Sequence, residues 1–387
     1  MKAAPRVDTA VGVSRSRARW RVLAVLLLAA GGWALFETFW NPRVPLAEPR
    51  VVARTPREPN DITIVLGGDF APTDAAMPLI REQGWRYPYR PTAPIFADAD
   101  IAFANLEAPV TARTSRTPLW KEYSYRVEPA ATEAWQWLGL DIVSVANNHT
   151  QDYRAAGLLD TIANLRAAGI EPLGGGASET EARQPVIFDV GGTRVGFLGY
   201  LEHRAAFNLW LRLFAVGDRV GVAQLNRADV AEDVRRLRPL VDVLIVSVHW
   251  GANYAPITGT QEEYAQFLAD LGVDVVVGHH PHVEQAVEVR NHCLILYSLG
   301  NYAWGTVGFP QLHIGLIARL HLAPHGKVRS AELLPIVTQN DVVNFQPRPI
   351  TPAERPWLDE FLESSRARGT KLVVDGTTIK WDRSGSL

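Results

Sequence analysis

The chain of 387 residues carries 39 Lys and Arg against 41 Asp and Glu, a formal charge of −2, with one cysteine, Cys293. Such a length buries a full core in one large or two average domains, and 47% hydrophobic with 21% charged residues excludes wholesale disorder. A single cysteine excludes a disulfide framework and a cysteine-based zinc module. The near-zero charge is unevenly placed: residues 1–21 hold six bases and one acid, net +5, which leaves −7 on the rest. A short basic stretch with nothing basic after it indicates a membrane, not a nucleic acid, as the partner.

Val22 to Phe36 is fifteen uncharged residues, and Trp20 to Trp40 gives 21 positions with Arg21 and Glu37 near the ends. About 20 apolar residues span a bilayer; Arg21 can snorkel to the interface, and the basic flank keeps the N-terminus cytoplasmic. A cleaved secretory signal is the rival reading. Bulky Phe36, Phe39 and Trp40 stand where a small-residue cleavage site would be needed, which favours an uncleaved single-pass helix over 22–40. The expected place is therefore the cell membrane, with the C-terminal domain extracytoplasmic. Residues 41–60 contain five prolines and read as a semi-rigid stalk.

From 61 to 387 short apolar runs end in polar residues. Ile62–Leu66 leads to Gly67-Gly68-Asp69, Ile101–Ala104 to Asn105-Leu106-Glu107, and Ile142–Ala146 to Asn147-Asn148-His149. Val243–Val248 leads to His249, Val275–Val277 to Gly278-His279-His280-Pro281-His282, and Leu294–Leu296 to Tyr297-Ser298-Leu299-Gly300-Asn301. Runs apolar on both faces predict buried strands with layers on either side. Amphipathic stretches at Tyr153–Ala168, Leu225–Leu240 and Gln261–Leu271 alternate with them, Gly169 and Gly272 standing where C-caps belong. The class is α/β. Gly174-Gly175-Gly176 reads as a flexible turn, and Pro185–Val190 with Thr193–Tyr200 as a hairpin. At the end of the chain Pro352–Arg368 reads as a helix and Lys371–Trp381 as a strand pair turning at Asp375-Gly376.

Residues after the carboxyl ends of neighbouring strands gather on one sheet edge, where such folds place ligands. All ten histidines lie at or after residue 149, and five of them fall between His249 and His292. Imidazoles, carboxylates and an amide without thiolate suit one or two divalent ions such as Mn²⁺, Fe²⁺ or Zn²⁺. Singly, each motif has a plainer reading: turn chemistry for Asp69, a helix cap for Asn147-Asn148, a surface acid for Glu107. His249 directly after an apolar run and the pair in His280-Pro281-His282 are harder to explain as core histidines.

The ordered series Gly68-Asp69, Asn105-Leu106-Glu107-Ala-Pro-Val-Thr, Asn147-Asn148-His149 with Asp152-Tyr153, His249-Trp250-Gly251, Gly278-His-His-Pro-His282 and Tyr297-Ser-Leu-Gly-Asn301 resembles the CapA family of poly-γ-glutamate capsule biosynthesis proteins, over about residues 62–302. That family is built like the calcineurin-type metallophosphoesterases. The resemblance implies a two-sheet αββα sandwich of the metallo-dependent phosphatase type behind an N-terminal membrane helix. It also implies metal ligands at Asp69, Glu107, Asn148, His249, His280 and His282, catalytic roles for His149 and Asn148, and substrate contacts at Asn105 and Asn301. The phosphoesterase pattern has Asp-x-His at its first motif, where this chain has Ala71; Asp74 or Glu107 could substitute. The run from Gly278 to His282 leaves two registers open, with His279 or His280 as the ligand.

Three functions follow as expectations. One is a metal-dependent hydrolase in synthesis or export of an anionic surface polymer such as poly-γ-glutamate. Another is a non-catalytic component that holds the polymer within a synthase complex, and the third a general extracytoplasmic phosphoesterase. Residues 203–220, rich in aromatics and arginines, read as a lid or a buried amphipathic helix. Arg86, Arg90, Arg113, Arg116 and Arg126 read as solvated charge or as a cluster suited to a polyanion or phosphoester.

Overall fold

The computed structural model of the chain describes residues 47–384 except 59–60, 117–120, 122, 205–206, 208–210, 309–312 and 324–325. The basic segment, the expected anchor over 22–40 and the first part of the expected stalk lie outside the described residues. Within those described, no helix is long and apolar enough to cross a membrane.

Two mixed sheets face each other. One runs, in spatial order, Arg50–Arg54, Val186–Val190, Thr193–Glu202, Val243–His249, Val275–His279, Cys293–Leu299 and Glu284–Arg290. The other runs Val373–Asp375, Thr378–Asp382, Lys327–Val337, Ile314–Ala323, Ile62–Ala71, Ile101–Leu106, Ile142–Ser144 and Glu171–Leu173, with Asn301–Trp304 also pairing with Ile62–Ala71. Side chains alternate along a strand, and here that alternation builds three apolar layers. Ile62, Ile64, Leu66 and Phe103 meet Val243, Ile245, Val275 and Val277 between the sheets. Val65, Ala102 and Ala104 face outward onto helices Ala131–Leu138 and Arg154–Ala167. Leu244, Val246, Val248 and Val276 face outward onto Arg227–Leu237 and Gly259–Asp270. Phe103 stacks on Phe197 across the central layer, ring centroids 6.2 Å apart. Removing either ring would cost about 3–5 kcal/mol.

The helices begin where local chemistry caps them. Asn226 accepts the Asp229 N–H before Arg227–Leu237, and Thr258 with Gln261 forms a capping box before Gly259–Asp270.

The structure departs from the sequence expectations in four places. Arg50–Arg54, inside the expected stalk, is an edge strand paired in parallel with Val186–Val190. Gly175–Gly176, expected as part of a flexible turn, is buried and pairs with Gly221–Val222. The first strand of the 61–387 region does not stop at Leu66 but continues through both glycines to Ala71. The expected terminal helix is 3₁₀ over Pro352–Leu358 and α only over Asp359–Ala367. Pro356 inside the first part cannot donate an intrahelical hydrogen bond. The final hairpin, Val373–Asp375 with Thr378–Asp382, turns at the expected glycine.

Candidate metal centre

Parallel pairing sets the site residues level with one another. Asp69 is opposite Asn105 on one side and Asn301 on the other, Asn105 is opposite Ser144, and His249 is opposite His279. The close approach at Asp69 needs the preceding glycine: a Cβ on Gly68 would lie 2.1 Å from the Gly300 carbonyl oxygen. Asp69 N–H donates to that same carbonyl at 2.9 Å, so the strand runs on past the glycines into the site.

Two groups of buried side chains converge tightly enough to hold a metal ion, Glu107–His249–His280 and Asp69–Glu107–His282, with Glu107 common to both. His249 Nε2 lies 2.7 Å from Asn148 Oδ1 and 3.4 Å from Glu107 Oε1, so the Asn148 amide oxygen joins the first group. Both carboxylate oxygens of Glu107 and both ring nitrogens of His280 are buried without a hydrogen-bond partner among the described residues. A buried carboxylate and imidazole left in that state each cost free energy. A divalent cation would satisfy them, and the oxygen–nitrogen donor set suits one.

The remaining sequence-predicted residues hold these in place. The Asn105 amide donates to Asp69 Oδ1 at 2.8 Å and approaches His249 Nδ1 at 3.4 Å. Asn147 in turn donates to Asn105 Oδ1 and to the Leu106 carbonyl. Asn301 Oδ1 accepts from His282 Nδ1 at 2.9 Å, and that nitrogen also lies 3.7 Å from Asp69 Oδ2. Asn105 and Asn301, expected to contact substrate, are both buried and bond to members of the candidate ligand groups. Of the two registers, His280 belongs to a candidate ligand group and His279 to neither. His279 continues the strand, its Nδ1 3.0 Å from Asp69 Oδ1 and its ring against Phe103. His280 turns away at φ 98° and its N–H donates to Asp69 Oδ2 at 2.9 Å. His282 is also left-handed, at φ 61°. Such backbone costs about 1–3 kcal/mol for a non-glycine residue and collects at functional sites.

Of the two residues that could substitute for the missing first-motif histidine, Glu107 belongs to both ligand groups and Asp74 to neither. Ala71 is buried opposite Trp304, and Asp74 begins a short 3₁₀ turn, bonded to Thr73 and outside both ligand groups.

His149 sits beside these groups in a relay of its own. Its Nδ1 bonds Asp152 Oδ2 at 2.7 Å; Lys121 Nζ bonds Asp152 Oδ1 and donates to the Asn148 carbonyl at 3.0 Å. The Tyr125 N–H donates to Asp152 Oδ2, and the Tyr125 ring lies 4.5 Å from that of His149. Lys121 lacked any motif spacing in the sequence. Asp152 had one, three residues after His149.

Burial dominates the electrostatics. It pushes the Glu107 carboxyl well above its usual range, reinforced by Asp69 and opposed by Lys121. It pushes His249 and His280 well below the usual imidazole range. For Asp69 burial acts upward, but His279, His249 and His282 together hold it at about 2. His149 is lowered by burial, against the pull of Asp152.

Of the five arginines expected near the first motifs, four have other partners, Arg86 over Trp137, Arg90 over Tyr87, Arg126 over Tyr153 and Arg113 paired with Asp160, and Arg116 is exposed. In the 203–220 segment Leu213, Phe214 and Ala215 are buried, whereas His203, Arg212, Val216 and Asp218 are exposed.

The family model described as bacterial capsule synthesis protein PGA_cap matches residues 63–306. A capsule biosynthesis protein CapA of Bacillus anthracis is 26% identical over 77% of this chain and 71% of its own. A PGA biosynthesis protein CapA of Bacillus subtilis is 27% identical over 66% of this chain and 65% of its own. A probable polyglutamine synthesis accessory protein of Mycobacterium tuberculosis is 33% identical over 75% of this chain and 79% of its own. Among solved structures, TT1561 of Thermus thermophilus is similar over 66% of this chain and 93% of its own, at 12% identity and a TM-score of 0.39.

Proposed function

This chain belongs to the bacterial capsule synthesis protein PGA_cap family, and on that premise we propose that it is a membrane-anchored, metal-dependent hydrolase acting in synthesis or export of an anionic surface polymer such as poly-γ-glutamate. One observation carries the metal part: Glu107, shared by two ligand groups, has both oxygens buried and without a hydrogen-bond partner among the described residues. Nothing in an apolar core would select for that. The polymer part leans on what the relatives are described as making.

A bound divalent ion supplies Lewis-acid polarisation and a more acidic water. The chain's own groups do the rest. Asp69, Glu107 and His282 form one ligand set and Glu107, Asn148, His249 and His280 the other, with Mn, Fe or Zn as the fitting ions. Asn105, Asn147, Asn301 and His279 lock the ligand rotamers, which keeps affinity and geometry together. With Nδ1 of His149 engaged by Asp152, Nε2 is the ring nitrogen left for a leaving group, and it gives a proton only from the imidazolium form, which Asp152 favours against burial. Lys121 fixes Asp152, and with it the orientation of that ring.

Full-length protein, stripped by chelator and reloaded, should retain one or two equivalents of metal by elemental analysis, and Glu107→Gln clearly less. Wild type without stoichiometric metal overturns the enzymatic reading. Ala71 in place of a ligand favours a second reading, a non-catalytic polymer-holding component. Turnover of phosphodiester, pyrophosphate or γ-glutamyl substrates by wild type and its loss in His149→Ala would reject that alternative.

A further inference from the structure

Neither the ligand groups nor the His149 relay uses Tyr254, which lies in the loop between His249 and helix Gly259–Asp270. Its N–H donates to the carbonyl of Pro281 at 2.8 Å, between His280 and His282. Its backbone sits at φ 58°, where a side chain costs stability and glycine would not. Core packing does not repay that cost, because Tyr254 is 42% exposed. The ring lies over a metal-ligand candidate instead, 5.9 Å from the His282 ring and inclined by 35°.

Among the described residues, Tyr254 joins a continuous arc of rings. His282 meets Trp304 at 4.7 Å, Trp304 meets Tyr125 at 5.3 Å, and Tyr125 meets His149 at 4.5 Å. Trp304 and Tyr125 are buried, so Tyr254 is the ring of this arc that meets an arriving ligand. Its phenol hydroxyl is a hydrogen-bond donor.

We propose that Tyr254 is a substrate-contact residue at the mouth of the metal centre, its ring covering the aliphatic part of an extended anionic chain and its hydroxyl donating to one of that chain's carboxylates. This rests on the reading of the site as one that handles an anionic polymer. A repeat of methylenes and carboxylates presents both partners that a tyrosine offers, an apolar face and a polar tip. The strained backbone aims the ring before the chain arrives, so less entropy is lost on binding.

The test compares γ-linked oligoglutamate with inorganic phosphate, titrated calorimetrically into metal-loaded full-length protein as wild type, Tyr254→Ala and Tyr254→Gly. Glycine relieves the left-handed strain, so Tyr254→Gly should melt no lower than wild type and separates loss of the ring from loss of the fold. Both variants should keep wild-type metal content and phosphate affinity while binding oligoglutamate about tenfold more weakly. Oligoglutamate affinity within about twofold of wild type in both variants overturns the role of Tyr254 and leaves the polymer reading standing. Wild type that takes up metal yet binds no oligoglutamate overturns both.

Discussion

Glu107 is the residue on which the site's pH behaviour turns. Burial first, then Asp69, raises its carboxyl well above the usual range, whereas His249 and His280 are depressed and stay neutral. Metal needs the carboxylate, so below the raised pKa each bound ion must displace a proton. Metal affinity should therefore fall about tenfold per pH unit on acidification through that range, and flatten above it. The metal-free protein runs the other way. A carboxyl raised on folding stabilises fully below its unfolded value, and that contribution is lost as pH rises through the folded value. The melting-temperature gain on adding metal should thus grow with pH in wild type, and lose that slope in Glu107→Gln. A slope unchanged by the substitution would mean that another group carries the proton. At this scale most of the candidate site was legible in the sequence, because Asp69, Glu107, Asn148, His249 and His282 each follow an apolar run. That His280 and not His279 falls in a candidate ligand group was not: it depends on a left-handed backbone that no residue type announces. Lys121 was not legible either, since it reaches Asp152 across a gap of 31 residues with no period.

Strands carry these residues to one edge, and glycine sets how closely they meet. A Cβ on Gly278 would lie 2.0 Å from the Tyr297 carbonyl oxygen and 2.5 Å from Trp250 Nε1. Trp250 Nε1 itself donates to that carbonyl at 2.9 Å, so neither neighbour can yield without breaking the other's bond. Gly278→Ala should cost at least about 1–3 kcal/mol of stability. Because His279 and His280 follow directly, metal affinity should fall with it. Denaturant unfolding and a chelator-competition titration measure the two effects. A variant with unchanged stability and metal affinity would mean that the strands can part without moving the histidines. The glycine-then-ligand pattern could be read from sequence, but its physical reason could not. Gly67-Gly68 looks like a turn and is in fact a strand that passes close beneath Gly300. Only the pairing partner, more than two hundred residues away, makes that visible.

For the whole molecule the same limit appears at the start of the fold. Prolines over 41–60 read as a stalk, yet Arg50–Arg54 pairs along five residues with Val186–Val190. From that edge it also reaches the opposite sheet. The Arg50 guanidinium donates to the Pro172 carbonyl at 2.6 Å and lies 3.3 Å from Glu171, and Arg54 bonds Asp141. A strand of one sheet that grips the edge of the other closes the sandwich there, over the central apolar layer to which Val52 adds. Sequence patterning misses it because the residues are split between solvent and contact: Val51 is 58% exposed, and the charged ends are what make the bridge. A protein beginning at residue 46 should therefore be more stable than one beginning at 61. At roughly 1 kcal/mol per ladder hydrogen bond the difference is about 3–5 kcal/mol, a drop of roughly 5–15 °C in melting temperature. The candidate ligands all lie beyond residue 61, so the shorter protein, where it remains folded, should take up metal as the longer one does. Equal melting temperatures for the two would remove the strand from the fold's stability and return it to the tether.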